Sequence, residues 1–270
     1  MVRQTWPNHL KNQSNIYNQL DVVGFGFIVG LTRDRAVQQN VMEENDNYGD
    51  ILQINTMDKY VNLSMKVAGL LNWVDNYCPG VDYVLKVDDD VYVNVHNLAT
   101  ILHSLSPSER SVYGRQCGGN LPARSGGKWP TSFENWPWQR FPLYFQGAAI
   151  VIAGSAVRPI LAAIQTTPYF IWDDMYLIGL CAVKARILLR TSNQIFIEQP
   201  DDYADPCFVR NSIMWTTPNT DGMHSSHSVS HNFYHQHPKT AHCHLIRNRS
   251  TYTDDPATAA EFPFSLAKQN

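Results

Sequence analysis

The sequence predicts an α/β protein, with a mostly parallel central sheet flanked by helices. Three observations carry that prediction. Apolar, β-rich runs alternate with helical stretches from residue 22 to residue 105, the order that builds parallel sheets. Three adjacent aspartates, Asp88, Asp89 and Asp90, close one of those strands, and such sheets gather ligands at strand carboxyl ends. The 270 residues are 44% hydrophobic and 17% charged, a balance that supplies an ordinary globular core.

Val22 to Leu31 (VVGFGFIVGL) reads as a buried strand: short, apolar and β-rich. Residues 35 to 47 are polar and helical in pattern, and Asp50 to Ile54 reads as a short strand. Asn62 to Tyr77 reads as a helix whose apolar face is Leu63, Val67, Leu70, Leu71 and Val74. Pro79 and Gly80 punctuate the chain before the strand Tyr83 to Val87, which runs into the aspartates. VYVN alternates like another strand, and Val95 to Leu105 returns to helical pattern. Residues 115 to 145 are rich in Gly, Pro and aromatics, which predicts an irregular loop with Trp129, Trp136 and Trp138 partly exposed. Gly147 to Ala153 is apolar again and Ser155 to Gln165 looks helical. Met175, Ile178, Gly179, Ala182 and Val183 form a helical stripe behind Asp173 and Asp174. Arg186 to Ile197 reads as one or two strands. Beyond Asp201 the pattern weakens, and seven of the ten histidines fall between His224 and His244, in what reads as a flexible, exposed segment.

Several function classes lose support. A net charge of −3 exerts no general pull on nucleic acid. No run of about 18 apolar residues encodes a membrane-spanning helix, and the opening MVRQTWPNHLKNQ has no signal-peptide core. The five cysteines form no CxxC pair, and their odd number leaves at least one thiol unpaired within the chain. Sequons at Asn12, Asn62 and Asn248 lean toward the secretory pathway. GxSxG, Walker A and GxGxxG motifs are absent from the sequence.

Four constellations carry candidate chemistry. At a strand end, Asp88 and Asp90 point to one side and Asp89 to the other, so two carboxylates suit a hard divalent cation. A solvated turn or cap is the alternative. Asp173 and Asp174 read equally as a helix N-cap or as a general base raised in pKa by the apolar Phe170, Ile171 and Trp172. The aromatic loop suits stacking on sugar rings, or simply covers the core. The histidine-rich segment offers metal ligands without a recognised spacing.

In order along the chain, these blocks resemble the β-1,3-galactosyltransferase-like family of inverting glycosyltransferases. That family includes β-1,3-N-acetylglucosaminyltransferases and, more distantly, the Fringe proteins. The matching blocks are Arg3, Thr5 and Trp6; Phe27 to Gly30; Glu43 to Lys66; Lys86 to Asn94; Phe141 to Gly147; and Asp173 to Gly179. They cover residue 3 to roughly 190 as six ordered motifs.

The resemblance implies a GT-A type fold, a UDP-sugar donor and a divalent cation, usually manganese. It implies one glycosyltransferase domain over residues 1–270: a nucleotide-binding half (1–114), an acceptor-binding and catalytic half (115–200) and an irregular His-rich segment (201–270). Asp174 is then the base. Arg3, Lys66, Asp88 and Asp89 contact the nucleotide sugar, while Asp88, Asp90 and His224 hold the metal. Trp129, Tyr144, Gly147 and Asp173 receive a glycan acceptor carried by glycoprotein or glycolipid.

Departures are visible. The family's EDV reads DDM here, Phe141 replaces a tyrosine, and Trp215 to Thr217 stands where a histidine is expected, with His224 and His227 close behind. The family's first strand, stem and membrane helix normally precede the Arg-x-Thr-Trp block, with which this sequence begins. The expectation is a first strand missing and a sheet edge left open. Golgi placement on the lumenal side would depend on an N-terminal anchor absent from this sequence. A non-catalytic glycan-binding protein on the same scaffold and a metal-dependent phosphohydrolase are the competing readings.

Overall fold

The computed structural model describes residues 2–11, 20–117, 121–198, 200, 205–235, 245–247, 250–252 and 265–266. In chain order the elements are α1 (Pro7–Lys11), β1 (Phe27–Leu31), α2 (Arg35–Tyr48), β2 (Ile51–Met57), α3 (Leu63–Tyr77), β3 (Tyr83–Val87), β4 (Val91–Val93), α4 (Val95–Ser104), β5 (Ser111–Cys117), β6 (Tyr144–Ala153) and α5 (Gly154–Ile164). A π-helix (Met175–Ala182) follows, then β7 (Leu188–Thr191), α6 (Pro206–Asn211), β8 (Met214–Thr216), α7 (Thr220–His235), β9 (Leu245–Arg247), β10 (Ser250–Tyr252) and β11 (Ser265–Leu266).

The α/β class holds, but the mostly parallel sheet does not. The larger sheet runs β11-β7-β5-β6-β3, and only β5 and β7 pair in parallel within it. β1 and β2 form a separate parallel pair, joined by α2 as a strand–helix–strand unit. The cause is the connection after β5. Among the described residues 121–143 there is no crossover helix, and the chain returns as β6, antiparallel to both β5 and β3.

β6 is the axis of the core. Its apolar run is buried on both faces and splits by the two-residue period of a strand. Ile150 and Ile152 face a cluster with Val84, Val112 and Ile160, while Ala149 and Val151 face a second with Tyr92, Tyr113 and Trp215. Truncating Ile152 to alanine would cost about 2–5 kcal/mol by the usual cavity argument. α3 docks through Ser64, Val67, Leu71 and Val74, much of the face its spacing predicts.

Two expectations near the N-terminus are adjusted. Val22 to Gly26 is not strand: β1 begins at Phe27, where Ile51 first offers a partner, and Val23 and Phe25 are exposed. β1 and β3 each pair on one side only among the described residues. The Asn62 sequon serves the fold, since its amide donates to the Met57 carbonyl at 2.8 Å and Ser64 is fully buried. Asn12 and Asn248 lie outside the described residues. Cys78, Cys117 and Cys181 are free thiols, and Cys207 is disulfide-bonded.

The segment beyond residue 201 is also corrected. It holds α6, β8 and α7 rather than irregular chain. α7 buries Gly222, Met223, Ser226 and Ser230, and Ser226 accepts a 3.1 Å hydrogen bond from the Trp215 indole. Asn94 and Asn97 tie this region to α4. Asn97 donates to the carbonyls of Val209, Arg210 and Ser212, and the Tyr234 hydroxyl donates to Asn97 at 3.0 Å. The histidines beyond His235 lie outside the described residues.

Candidate functional site

The aspartates occupy a turn between β3 and β4, so the alternation expected of a continuing strand stops at Asp88. The Asp88 N–H still donates to the Ala148 carbonyl at 2.9 Å, extending the β3–β6 ladder by one residue. The Val91 N–H then donates to the Asp88 carbonyl at 3.2 Å and closes the turn. Thr217 clamps it from the far side, its N–H and hydroxyl both donating to the Asp90 carbonyl, at 2.8 and 2.9 Å. The three aspartates are exposed. Partial desolvation, then the charges of Asp88 and Asp89, push the Asp90 carboxyl above its usual range, while Lys128 works against that shift.

The second acidic pair stands at the head of the π-helix. Asp174 caps it by accepting from the Met175 N–H at 2.7 Å, and it also accepts from the Gly147 N–H. Burial first, then the Asp173 charge, raise the Asp174 carboxyl from 3.8 to about 6. The cap reading holds for Asp174, and burial raises its carboxyl in the direction that a base would need. A Cβ at Gly147 would sit 3.1 Å from the Asp174 Cβ, close enough that Asp174 would have to give by a few tenths of an ångström. Gly179 lets the π-helix approach the Tyr144 Cβ in the same way. Tyr144 lies close enough for the Asp174 charge to raise its hydroxyl pKa, after burial.

One lysine joins the two acidic sites. The Lys86 ammonium is 2.6 Å from Asp88 Oδ1 and 3.7 Å from Asp173 Oδ2, and it donates to the Gly147 carbonyl. Lys86, Asp173 and Asp174 border a cavity whose apolar walls include Val67, Ile150 and Leu177.

The aromatic loop is irregular, as its composition predicts. Trp129 and Trp138 are exposed, but Trp136 is buried, contrary to expectation. Its indole N–H donates to the Arg140 carbonyl at 2.9 Å, and its rings pack on Phe141 and Phe170. Trp129 donates to the Tyr60 hydroxyl at 2.5 Å, and Tyr60 lies 5.8 Å from Trp172, the residue before Asp173. Arg124 organises the loop. Its guanidinium donates to the carbonyls of Trp136 and Trp138 at 2.6 Å and lies 3.9 Å over the Phe133 ring. We expect Arg124→Ala to remove roughly 1.5–3 kcal/mol of local stability. The check is faster proteolytic cleavage between residues 121 and 142, with Trp near-UV circular dichroism reduced and the core transition little changed.

Other sequence-derived residues go elsewhere. Arg3 is committed to Asp50 through two 2.7 Å bonds and to Glu44 at 2.6 Å, with Phe27 and Tyr48 stacked on its guanidinium. Lys66 pairs with Asp58 at 2.9 Å, and Asp58 in turn accepts from the Gly30 N–H. Both residues brace the β1–β2 unit, and neither has a bond to the aspartate turn. Asp89 is exposed on that turn, and His224 is exposed on α7. Among the described residues no three His, Cys, Asp or Glu side chains converge as a metal cage, so Asp88, Asp90 and His224 are not gathered as a triad. The donor set that does exist, adjacent carboxylates on an exposed turn, fits a hard cation that takes its remaining ligands from phosphate oxygens and water.

Lys86, Thr217 and Tyr60 were given no site role from the sequence, and Trp172 was named only as an apolar neighbour of the second acidic pair. Lys86 carried one signal, its two-residue offset from Asp88 on a strand. A cluster of His9, His96, His227 and His231 joins α1, α4 and α7, with ring centroids 4.6 Å apart for His9 and His227. It too was not legible, because its members come from three distant segments.

The sequence model of the family described as Galactosyltransferase matches residues 1–193. Curated relatives include lactosylceramide 1,3-N-acetyl-beta-D-glucosaminyltransferase B of Xenopus laevis, 31% identical over 193 residues, which are 69% of this chain and 50% of the relative. Beta-1,3-galactosyltransferase 5 of Homo sapiens is 30% identical over 189 residues, 70% of this chain and 59% of the relative. Acetylgalactosaminyl-O-glycosyl-glycoprotein beta-1,3-N-acetylglucosaminyltransferase of Mus musculus is 27% identical over 246 residues, 84% of this chain and 63% of the relative. The chain spans about half to three-fifths of the length of these relatives.

Proposed function

The chain belongs to the galactosyltransferase family, and on that premise we propose that it transfers galactose or an N-acetylhexosamine from a UDP-sugar to a glycan, forming a β-1,3 linkage with inversion. The observation that supports this reading most is the meeting of two acidic sites at Lys86. One is an exposed pair of carboxylates suited to a metal-bound diphosphate. The other is a buried carboxylate raised to about 6.

In this reading Asp174 takes the proton of an acceptor hydroxyl as its oxygen bonds to the anomeric carbon. The bond from that carbon to the diphosphate oxygen breaks on the opposite face, and UDP leaves with the electron pair. A single displacement of this kind turns an α-linked donor into a β-linked product. Asp88 and Asp90 would hold a divalent cation, manganese by family resemblance, which would supply positive charge to the departing diphosphate. Gly147 keeps Asp174 oriented, and the Trp129–Tyr60–Trp172 group offers aromatic faces beside it for sugar rings. A GT-A type fold and a Golgi lumenal setting belong to the same reading. The acceptor class, glycolipid or glycoprotein, is proposed from the names of the relatives. No described helix is long and apolar enough to cross a membrane.

The test is a transfer assay on the purified chain with manganese. UDP-galactose and UDP-N-acetylglucosamine are each offered with p-nitrophenyl β-lactoside or an α-N-acetylgalactosaminide, and product linkage is read by NMR. A β-1,3-linked product from one donor is expected. Donor hydrolysis without transfer would favour the phosphohydrolase reading. Glycan binding with neither reaction would favour a non-catalytic lectin-like role.

A further inference from the structure

We propose that Lys86 is a positioning residue that couples the aspartate turn to the carboxylate pair at the head of the π-helix. Lys86 is the penultimate residue of β3, and its side chain shares a face with Asp88 two residues on. Its ammonium has three N–H bonds. Two are used on Asp88 and on the Gly147 carbonyl, and the third side of the group faces Asp173 at 3.7 Å. Gly147 extends the link, because its own N–H donates to Asp174. Lys86 therefore reaches Asp174 by two routes, through the Gly147 peptide and through the charge of Asp173.

An ordinary surface ion pair would be solvated and weakly constrained. The Lys86 side chain is only 13% exposed, so its charge is desolvated and depends on these partners. The groups facing Asp174 are few. They are Asp173 beside it, Lys86 from β3, Tyr144 and the Gly147 N–H from β6, Cys117 from β5, and the Met175 N–H. Lys86 is the one cation among them. Removing it leaves Asp173 as the dominant neighbouring charge and frees the Gly147 peptide to turn.

The inference rests on the reading of Asp174 as the base, and its test separates the two. The full chain is labelled with 13C at aspartate carboxyl carbons and titrated by NMR without substrate. The wild type should show one carboxyl with a midpoint near 6, lost in Asp174→Asn. In Lys86→Met that midpoint should move upward, and Lys86→Arg should return it toward the wild-type value. Lys86→Gln removes the charge while keeping a donor for Gly147, and it replaces Lys86→Met if that variant does not fold. A midpoint unmoved in both uncharged variants would overturn the coupling role and leave Asp174 as the base. Absence of any such carboxyl in the wild type would overturn the base assignment itself.

Discussion

Asp174→Asn should lower kcat for sugar transfer by about 10²–10⁴-fold, the range for loss of a general base, and should make the protein more stable at pH 8. Both effects follow from one environment. The folded state raises the Asp174 carboxyl from 3.8 to about 6, so it favours the protonated form. The sign follows directly. Between those two values the native state holds a proton that the unfolded chain has released. Stability therefore falls as pH rises through this window, by about 3 kcal/mol in total. Above pH 6 the ionised carboxylate is a burden on the fold, and in the proposed mechanism it is the form that takes a proton from an acceptor. Asparagine keeps an oxygen for the Met175 and Gly147 N–H groups and carries no charge. Urea unfolding at pH 4 and pH 8 should show the variant's advantage only at the higher pH, and wild-type kcat should fall on an acid limb with its midpoint near 6. A variant that retains kcat within tenfold would remove Asp174 from the base role. A variant no more stable at pH 8 would contradict the buried charge.

The elements easiest to read were those that bury aliphatic side chains at regular spacing. α3 carries Val67, Leu71 and Val74 on one face, and β6 is a continuous apolar run buried on both sides. α7 defeated the same logic because its buried face is Gly222, Met223, Ser226 and Ser230, one large apolar residue among small and polar ones, which carries no hydrophobic period. Its stability comes from contacts chosen by the fold, such as Ser226 accepting from Trp215. The parallel sheet was misjudged for a related reason. Strand and helix alternation predicts parallel pairing only where the helix is the crossover, and the loop between β5 and β6 breaks that condition. Trp136 was placed outside because a Gly- and Pro-rich loop reads as surface, whereas Arg124 gathers the loop and folds that ring inward.

The candidate site was legible as two acidic clusters but not as one assembly. Asp88 and Asp173 are 85 positions apart, and it takes the antiparallel pairing of β3 with β6 to bring Gly147 beside Lys86. Arg3 illustrates the opposite case. A conspicuous cation in a motif invites a phosphate, yet Asp50 and Glu44 already answer its charge, and the Phe27 and Tyr48 rings lie against its guanidinium. Its neighbours lay too far along the chain for the motif to reveal them.

Asp90→Ala should abolish manganese-dependent UDP binding, lowering affinity by at least about 100-fold, while leaving the turn itself in place. The two carboxylates of the turn are not equivalent. Asp88 is shared with Lys86 at 2.6 Å, so part of its charge is already answered by the protein. Asp90 is pushed above its usual pKa by desolvation and by Asp88 and Asp89, so a cation would relieve more repulsion there. The Asp90 backbone is held independently of its side chain, because Thr217 binds its carbonyl twice. Truncation at Cβ therefore tests the carboxylate and not the loop. Asp88→Ala is a less clean probe, since it also strips Lys86 of its nearest partner and disturbs the link to Asp173. Calorimetry with UDP should show binding by the wild type with manganese and its loss on addition of a chelator. UDP binding that survives both the chelator and Asp90→Ala would place the nucleotide elsewhere and leave the turn without a metal role.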